Sequence, residues 1–533
     1  MQLNPDTIYY NADIITLDAE LPQAQAVAVA DGKIMAVGDD HEIKALATSQ
    51  TRMRNLAGKT LLPGFNDAHI HVLLSGIRHL LSVDCSGPGI ADVLEALRQR
   101  CQQTPKGEWV RGILFDDEKI VEKRMLTRKE LDSVSTNHPI FISHRGFHSH
   151  ICNSPALAKV GFSKNVAPPT GGKFDFDANG ELNGVIHETA VEPIRAILPE
   201  PDEKQRLQAT QEICRKLNSA GITSVQDGRT TAADLATYQQ AEEQGILSLR
   251  VAAMMHYNTF ENLKSVGIKA GFGNRMIRIM GVKICVDGAI AGRTAFLSKP
   301  YCNSADKGIL AMSQEELTQW VISIHRAGLR PCVHANGDAA IEMTLEAFEE
   351  ALQEYPAKNP RLRIEHCTVI NDRILKRLKK LGCVVTPFST YVYYHGDKLP
   401  SYGTARVANM FAFRSFLDND IPAAAASDYI AGPYEPLLGI QSCVTRTDIH
   451  GNIWGPEQRI SIEEALRLYT QAGAYASFEE NRKGTIKPGM FADFAILESN
   501  PQKVSSDTIK DIMVLETILA GKTVFSRESD HAE

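Results

Sequence analysis

Short apolar runs alternate with amphipathic stretches along most of the middle of this 533-residue chain. Eight of the runs are candidate strands: LLPGF (61–65), ITSVQD (222–227), SLRVAAMM (248–255), MIRIMGVKICVD (276–287), RPCVHA (330–335), LRIEHC (362–367), CVVTPF (383–388) and IPAAAASD (421–428). Stretches such as 203–221, 313–328 and 338–355 carry the periodicity of a helix. Strands that alternate with helices in this way predict an α/β fold, a (β/α)8 TIM-like barrel.

The two chain ends have a different pattern. Short β-branched runs broken by turn residues, such as AQAVAVADGKIMAVGD near the start and GTIKPGMFADFAILE near the end, predict strands and hairpins. We therefore expect residues 1–60 and 480–533 to form one small all-β domain in which the termini meet. The barrel would then comprise residues 61–80 and 200–479.

One gap interrupts the spacing of the candidate strands. About 150 residues separate the first strand from the second, whereas the later strands follow at intervals of roughly 20 to 50 residues. Residues 81–199 are therefore predicted to be an insertion subdomain. Because it leaves the carboxyl end of the first strand, where barrel active sites lie, it is a candidate lid or substrate wall at the mouth.

Composition narrows the functional classes. A net charge of −7 gives no reason to expect binding to nucleic acid or to an anionic membrane surface. The N-terminal residues lack the pattern of a signal peptide, and no run approaches 18 apolar residues. Ten scattered cysteines without C-x-x-C pairs suit free, mostly buried thiols in a reducing compartment. These features favour a cytoplasmic protein.

Two histidines stand one residue apart in PGFNDAHIH, directly after an apolar run. On a strand, residues i and i+2 face the same side, so His69 and His71 would point together. Two imidazoles aimed at one point suit a divalent metal such as zinc. Taken alone, the pair is equally consistent with two ordinary polar histidines at a strand end.

Four further polar residues lie within or at the ends of other candidate strands: Lys283, His334, His366 and Asp428. Closure of the barrel would bring most of them to one mouth together with the histidine pair. Each has an ordinary alternative, since a strand-end histidine is often only hydrogen-bonded, a lysine can extend its amine to solvent, and an aspartate can cap a helix. Those alternatives explain single residues well but six residues at one end of a barrel poorly.

Lys283 is the most informative of the six because it lies inside the apolar run IMGVKICV. A buried ammonium is costly. A neutral lysine amine can react with carbon dioxide to form a carbamate, an anion that is able to bridge two cations. Chemistry thus offers a reason for a lysine beside four histidines and an aspartate.

This pattern resembles the amidohydrolase superfamily, and more narrowly its YtcJ-like group, which includes N-substituted formamide deformylases. The stretches that carry the resemblance run through nearly the whole chain: LLPGFNDAHIHV, HSHICNSPAL, GVKICVDGAIAGRTA, VHANGDAA, RIEHC, SDY followed by EPLLGI, and GTIKPGMFADFAIL. The resemblance implies that the two chain ends form a β-sandwich. It also makes a homodimer a family-level expectation.

The resemblance assigns a role to each of the six residues. His69, His71 and Asp428 would hold one metal, and His334 and His366 would hold the other. Carboxylated Lys283 would bridge the two positions. Zinc or a similar divalent ion, one or two per chain, is the implied cofactor.

Metal chemistry then indicates a reaction. A metal-bound hydroxide would attack the carbonyl carbon of a small amide-like substrate while Asp428 carries a proton to the leaving nitrogen, which hydrolyses a C–N bond other than a peptide bond. The same site could instead act as a deaminase of a ring amidine or as an esterase, since fold and metal do not determine the substrate. A third hypothesis is a non-enzymatic regulatory protein. The complete set of six potential ligands argues against it.

Residues that bind the substrate are harder to predict from the sequence. His150, in the segment HRGFHSHICN, and Arg293, in GAIAGRTAF, are the two candidates for contact with a substrate carboxylate or carbonyl. The same segment also offers Arg145, His148 and Asn153. Structural polar contacts explain all of these residues equally well.

Overall fold

The computed structural model describes residues 4–145, 149–169 and 172–527. The chain divides into two compact units: one joins residues 1–72 to residues 210–533, and the other spans residues 73–209. The predicted division into three domains, with an insertion at 81–199, stays a prediction.

Seven parallel strands form one sheet of the first unit and are hydrogen-bonded in chain order. They are numbered β1 to β7: Phe65–Ile70, Ile222–Thr230, Arg250–His256, Ile277–Cys285, Pro331–Ala335, Arg363–His366 and Val384–Thr386. Every neighbouring pair is parallel, so the carboxyl ends of the strands meet along one edge. This nearly closed parallel barrel confirms the predicted α/β class.

The segment predicted as an eighth strand, residues 421–428, adopts an irregular conformation between the two ends of the sheet. Two isolated parallel bridges join Ala423 to Val385 and Ala426 to Phe388. On the other side, the Asp428 N–H donates to the His69 carbonyl at 2.8 Å. Asp428 has a φ of 52°, so the backbone departs from strand geometry at this point. The barrel therefore has seven regular strands and one bridging segment where the sequence predicts eight strands.

Helices accompany the strands of the first unit, as the amphipathic stretches predict. The α-helices are Asp40–Lys44, Ala232–Glu243, Phe260–Ser265, Gln314–Arg326, Asp338–Glu354, Asp372–Leu381, Tyr391–His395, Thr404–Val407, Phe413–Asp418, Pro436–Thr445, Ile462–Leu468 and Gln471–Ala476. Short 3₁₀ turns lie at Tyr257–Thr259, Gly396–Tyr402, Pro456–Gln458 and Ser506–Asp511. Capping follows the sequence: the Ser313 side chain accepts from the Glu316 N–H, and Gly382 ends its helix with a left-handed φ of 61°.

Residues near both chain ends build two further sheets of the first unit. One has four strands in the order Lys33–Gly38, Ala26–Ala30, Thr7–Tyr10 and Arg52–Asn55. The other has six in the order Lys522–Ser526, Val514–Leu519, Phe494–Leu497, Thr60–Pro63, Asp13–Ile15 and Gln23–Ala24. One buried apolar cluster contains Val27 and Val29 from the first sheet together with Leu61 and Phe494 from the second. N-terminal and C-terminal residues thus share a sheet and a core.

The second unit is organised around its own mixed six-stranded sheet. The strands lie in the order Gly172–Phe176, Leu182–Glu188, Ser149–Cys152, Ile140–His144, Val110–Phe115 and Ser82–Asp84. Its helices are Ile90–Gln103, Arg128–Val134, Ser154–Lys159 and Glu192–Arg195, with a 3₁₀ turn at Thr189–Val191. Helices Val72–Leu81 and Glu203–Asn218 lie at the sequence boundaries of the two units.

Within the described ranges, no helix combines the length and the apolar character that crossing a bilayer demands. All ten cysteines are free thiols, and all but Cys285 and Cys302 are buried, which agrees with the expectation of mostly buried thiols.

Candidate metal centre

The six side chains singled out in the sequence converge beside the carboxyl ends of the barrel strands. Asp428 Oδ1 lies 3.3 Å from His71 Nε2 and 3.6 Å from His69 Nε2. Lys283 Nζ, on β4, lies 3.2 Å from the same His69 nitrogen. His69 is therefore the hub that joins the lysine to the carboxylate.

The remaining two histidines complete the cluster. The His366 ring centroid lies 4.8 Å from that of His69 and 4.6 Å from that of His334. Phe388 stacks on the His366 ring at 4.2 Å and holds its plane. One potential ligand atom from each of His69, His366 and Asp428 lies within 4.8 Å of the others, a spacing that suits one shared ion.

Glu365, which the sequence analysis does not single out, orients the central imidazole. Its carboxylate hydrogen-bonds His69 Nδ1, and both side chains are fully buried. Arg363 Nη2 and Thr386 Oγ1 each donate to Glu365 Oε2 at 2.8 Å. Because Nδ1 is engaged in this way, the lone pair of His69 Nε2 is directed toward Lys283 and Asp428.

A second set of contacts orients His334. Its Nε2 lies 3.1 Å from the Gly288 carbonyl and 3.2 Å from Asn336 Nδ2. Asp287 lies 3.5 Å from the same nitrogen and accepts hydrogen bonds from the backbone N–H groups of residues 296, 336 and 337. Burial raises the pKa of Asp287 to about 7. The polar contacts of Nε2 leave His334 Nδ1 as the ring nitrogen that can face the cluster.

The cluster favours the protonation states that bind metals. Burial, followed by the positive charge of Lys283, lowers the pKa of His69 to about 4 and that of His334 to about 3. Burial also lowers the pKa of His366 well below its ordinary value. Burial acts to raise the pKa of Asp428, but the His71 hydrogen bond and the nearby imidazoles outweigh it and lower that pKa. Neutral imidazoles therefore face a carboxylate at neutral pH.

The residues fit a divalent metal ion. His366 Nδ1 is buried and has no hydrogen-bond partner among the residues that the structure describes. Gly228, on β2, keeps space open, since a Cβ there would lie 2.6 Å from His69 Nε2. Imidazole nitrogens and a carboxylate oxygen are the donors that zinc and similar ions prefer.

The two candidates for substrate binding lie in different units. His150, in the second unit, is buried, with Nδ1 at 3.2 Å from Ser143 Oγ and Nε2 at 3.2 Å from Arg195 Nη2. Arg293, in the first unit, is exposed on the loop after β4. Their contact with substrate stays a prediction.

The other polar candidates of that segment are structural or lie outside the described residues. Asn153 is buried, caps helix Ser154–Lys159 and accepts from the Ile140 N–H at 2.8 Å. Arg145 lies 3.9 Å from the Asp116 carboxylate. His148 lies outside the described residues.

Sequence reasoning missed the residues that support the cluster. Glu365 stands directly before His366, and an acid inside an apolar strand two residues from Arg363 is a usable signal of a buried ion pair. Asp287 likewise closes the apolar run that contains Lys283. Gly228 carried no such signal, because only the folded barrel shows what its missing side chain leaves open.

The sequence pattern of the amidohydrolase family matches residues 52–525. The chain therefore belongs to the amidohydrolase family, and the predicted resemblance and the prediction of an amidohydrolase enzyme are confirmed.

Individual relatives cover nearly the whole chain. N-substituted formamide deformylase of Arthrobacter pascens is 28% identical, and the match covers 98% of this chain and 98% of the relative. The YtcJ protein of Bacillus subtilis (strain 168) is 27% identical over 98% of this chain and 99% of its own length. The solved structure of an uncharacterized metal-dependent hydrolase from Pyrococcus horikoshii OT3 has a TM-score of 0.78 at 27% identity, covering 94% of this chain and 99% of its own.

Proposed function

We propose that this amidohydrolase uses a divalent metal centre to hydrolyse a C–N bond, other than a peptide bond, in a small amide-like molecule. The observation that carries the proposal is the convergence of four histidines, Lys283 and Asp428 at one end of the barrel. The relative from Arthrobacter pascens is named for the deformylation of N-substituted formamides, which supports an amide-like substrate.

The proposed ligand assignment is the one that the family resemblance implies. His69, His71 and Asp428 would hold one ion, and His334 and His366 would hold another. Zinc or a similar divalent ion would supply a Lewis acid for a carbonyl oxygen and a water of lowered pKa. We expect metal analysis to find one to two equivalents of zinc or a similar ion per chain.

Asp428 is the proposed proton carrier. Its carboxylate lies beside His69 and His71, and its side chain is partly exposed, at 18%, whereas that of His69 is fully buried. A substrate entering from solvent would therefore meet Asp428 before the base of the site. We propose that Asp428 accepts a proton from the attacking water and delivers it to the leaving nitrogen.

Lys283 is the proposed bridging ligand, in carboxylated form. Its residue exposure is 4%, and among the described residues its amine has no carboxylate ion-pair partner. A buried ammonium with no counter-charge is unfavourable, whereas a carbamate would be an anion suited to two cations.

Lys283→Ala is expected to lose bound metal and most activity, and short carboxylic acids such as formate should partly restore both by replacing the carbamate. Metal content per chain and kcat are the two measurements. Lys483→Ala is the matched control. Lys483 is also buried, but its amine pairs with the Glu479 carboxylate at a distance of 2.7 Å and contacts none of the proposed ligands. If formate raised the metal content and kcat of the Lys483 variant, or failed to raise those of the Lys283 variant, the bridging role would be contradicted.

The substrate class is tested with a panel of N-substituted formamides, other N-acyl amines, cyclic amides, ring amidines and simple esters. We expect amine release from one of the amide classes, abolished by a chelator and restored by zinc. Ammonia release from a ring amidine alone would favour a deaminase. Turnover of esters alone would favour an esterase.

The finer architectural assignments are also proposals. We propose that the two sheets of the chain ends form a composite β-sandwich domain, 1–60 with 480–533, because one apolar cluster contains residues of both. The barrel at 61–80 and 200–479 and the insertion at 81–199 complete the proposed division.

A further inference from the structure

A cleft near the amino-terminal end of β4 has a strongly basic lining. Its volume is about 470 Å³, and four of its lining residues are cationic: Lys33, Arg275, Arg278 and Arg482. No acidic side chain is among its described lining residues. For a chain with a net charge of −7, a concentration of four positive charges in one cleft is unexpected and calls for a physical reason.

Three of the four cations lack a counter-charge among the residues that the structure describes. Lys33, Arg275 and Arg482 form no ion pair with any carboxylate in the part of the chain that the structure describes, and all three are exposed at the cleft. Neighbouring like charges without a partner repel one another, which raises the electrostatic free energy of the folded chain. A bound anion would lower that energy.

Nearby acids do not neutralise the cleft. The buried Glu479 carboxylate pairs with Lys483 Nζ at 2.7 Å. Its contact with Arg278 Nη1 is longer, at 3.6 Å. Glu242 accepts from Asn274 Nδ2 at 2.8 Å and is not a lining residue of the cleft.

The backbone keeps the cleft open and positions one guanidinium. Arg278 Nη2 donates to the Gly271 carbonyl at 3.3 Å, and a Cβ on Gly271 would lie 3.1 Å from that nitrogen. Gly489, with a φ of 90°, faces open space, since a Cβ there would meet nothing within 4 Å. Bare backbone at these positions leaves room for a ligand beside the basic side chains.

We propose that this cleft binds a small molecule that carries two or more phosphate groups. The exposed guanidinium groups of Arg275 and Arg482 can each donate paired N–H bonds to phosphate oxygens, Lys33 adds a third positive charge, and the volume is that of a small-molecule site. The cleft is separate from the metal centre: Arg278, its lining residue on β4, is five residues before Lys283, which corresponds to about 16 Å along the strand. The inference therefore does not depend on the proposed reaction.

The test measures binding of inorganic pyrophosphate to the metal-loaded protein by isothermal titration calorimetry at constant ionic strength, with sulfate for comparison. We expect saturable binding at one site, with sulfate at least tenfold weaker. Absence of saturation in the millimolar range, or equal binding of sulfate, would overturn the proposal.

Paired variants locate the site. The double variant Arg275→Gln/Arg482→Gln is expected to raise the pyrophosphate Kd more than tenfold. The control Arg52→Gln/Arg373→Gln removes two exposed arginines elsewhere and should leave Kd within twofold. The proposal would be overturned if the first variant bound pyrophosphate as tightly as the wild type, as it would if pyrophosphate bound at the active-site metal. An equal loss of pyrophosphate affinity in both double variants would also overturn it. Metal content and thermal midpoint, measured for each protein, verify that both variants remain folded and loaded.

Discussion

Asp428→Asn is expected to lower kcat by between ~10² and 10⁴-fold while leaving the fold intact, because an amide cannot accept the proton that the carboxylate is proposed to carry. The backbone should tolerate the change, since Asp428 has a φ of 52° and asparagine is among the residues that adopt this region readily. Steady-state kinetics at saturating zinc, with metal content measured on the same sample, provide the test.

A surface replacement of the same kind serves as the control. Asp420 also has a positive φ, 54°, and its exposed carboxylate lies 3.1 Å from Lys379 Nζ. Asp420→Asn should therefore keep wild-type kcat and an unchanged thermal midpoint. A fully metal-loaded Asp428→Asn enzyme that turned over at the wild-type rate would show that another group carries the proton.

Glu365→Gln is expected to have the largest effect on stability, with a loss of about 3 to 5 kcal/mol in the free energy of unfolding. The change removes the charge that balances buried Arg363 while preserving side-chain shape. It also removes the carboxylate that orients His69, so we expect a loss of about 10- to 100-fold in metal affinity. Denaturant unfolding and competition with a chromogenic chelator measure the two quantities.

Asp493 provides a matched comparison for this buried carboxylate. It is also buried and ion-paired with an arginine, Arg250, at 2.6 Å. Asp493→Asn should lower stability without changing metal affinity, because its carboxylate contacts none of the proposed ligands. If the two variants lost metal affinity equally, the effect of Glu365 would be general destabilisation rather than orientation of His69.

The barrel class and the six central residues could be read from local patterns. Alternation of apolar runs with amphipathic stretches indicates which segments are strands. A polar residue at the end of such a strand indicates a position at the barrel mouth. His69, Lys283 and His334 were found in this way, since each stands out against its neighbours in the chain. These signals are local because strand formation and side-chain alternation depend on adjacent residues.

The supporting contacts could not be read in the same way. Glu365 and His69 are 296 residues apart, and their hydrogen bond exists only because the sheet curls until β6 approaches β1. The irregular path of residues 421–428 and the open space beside Gly228 have the same origin, since both depend on how the ring closes. Local sequence therefore specified most of the strands and the reactive side chains, although residues 60–63 pair in the chain-end sheet and the first barrel strand is Phe65–Ile70. Long-range packing specified their orientation, because the partners of a buried charge are chosen by which distant segments come into contact.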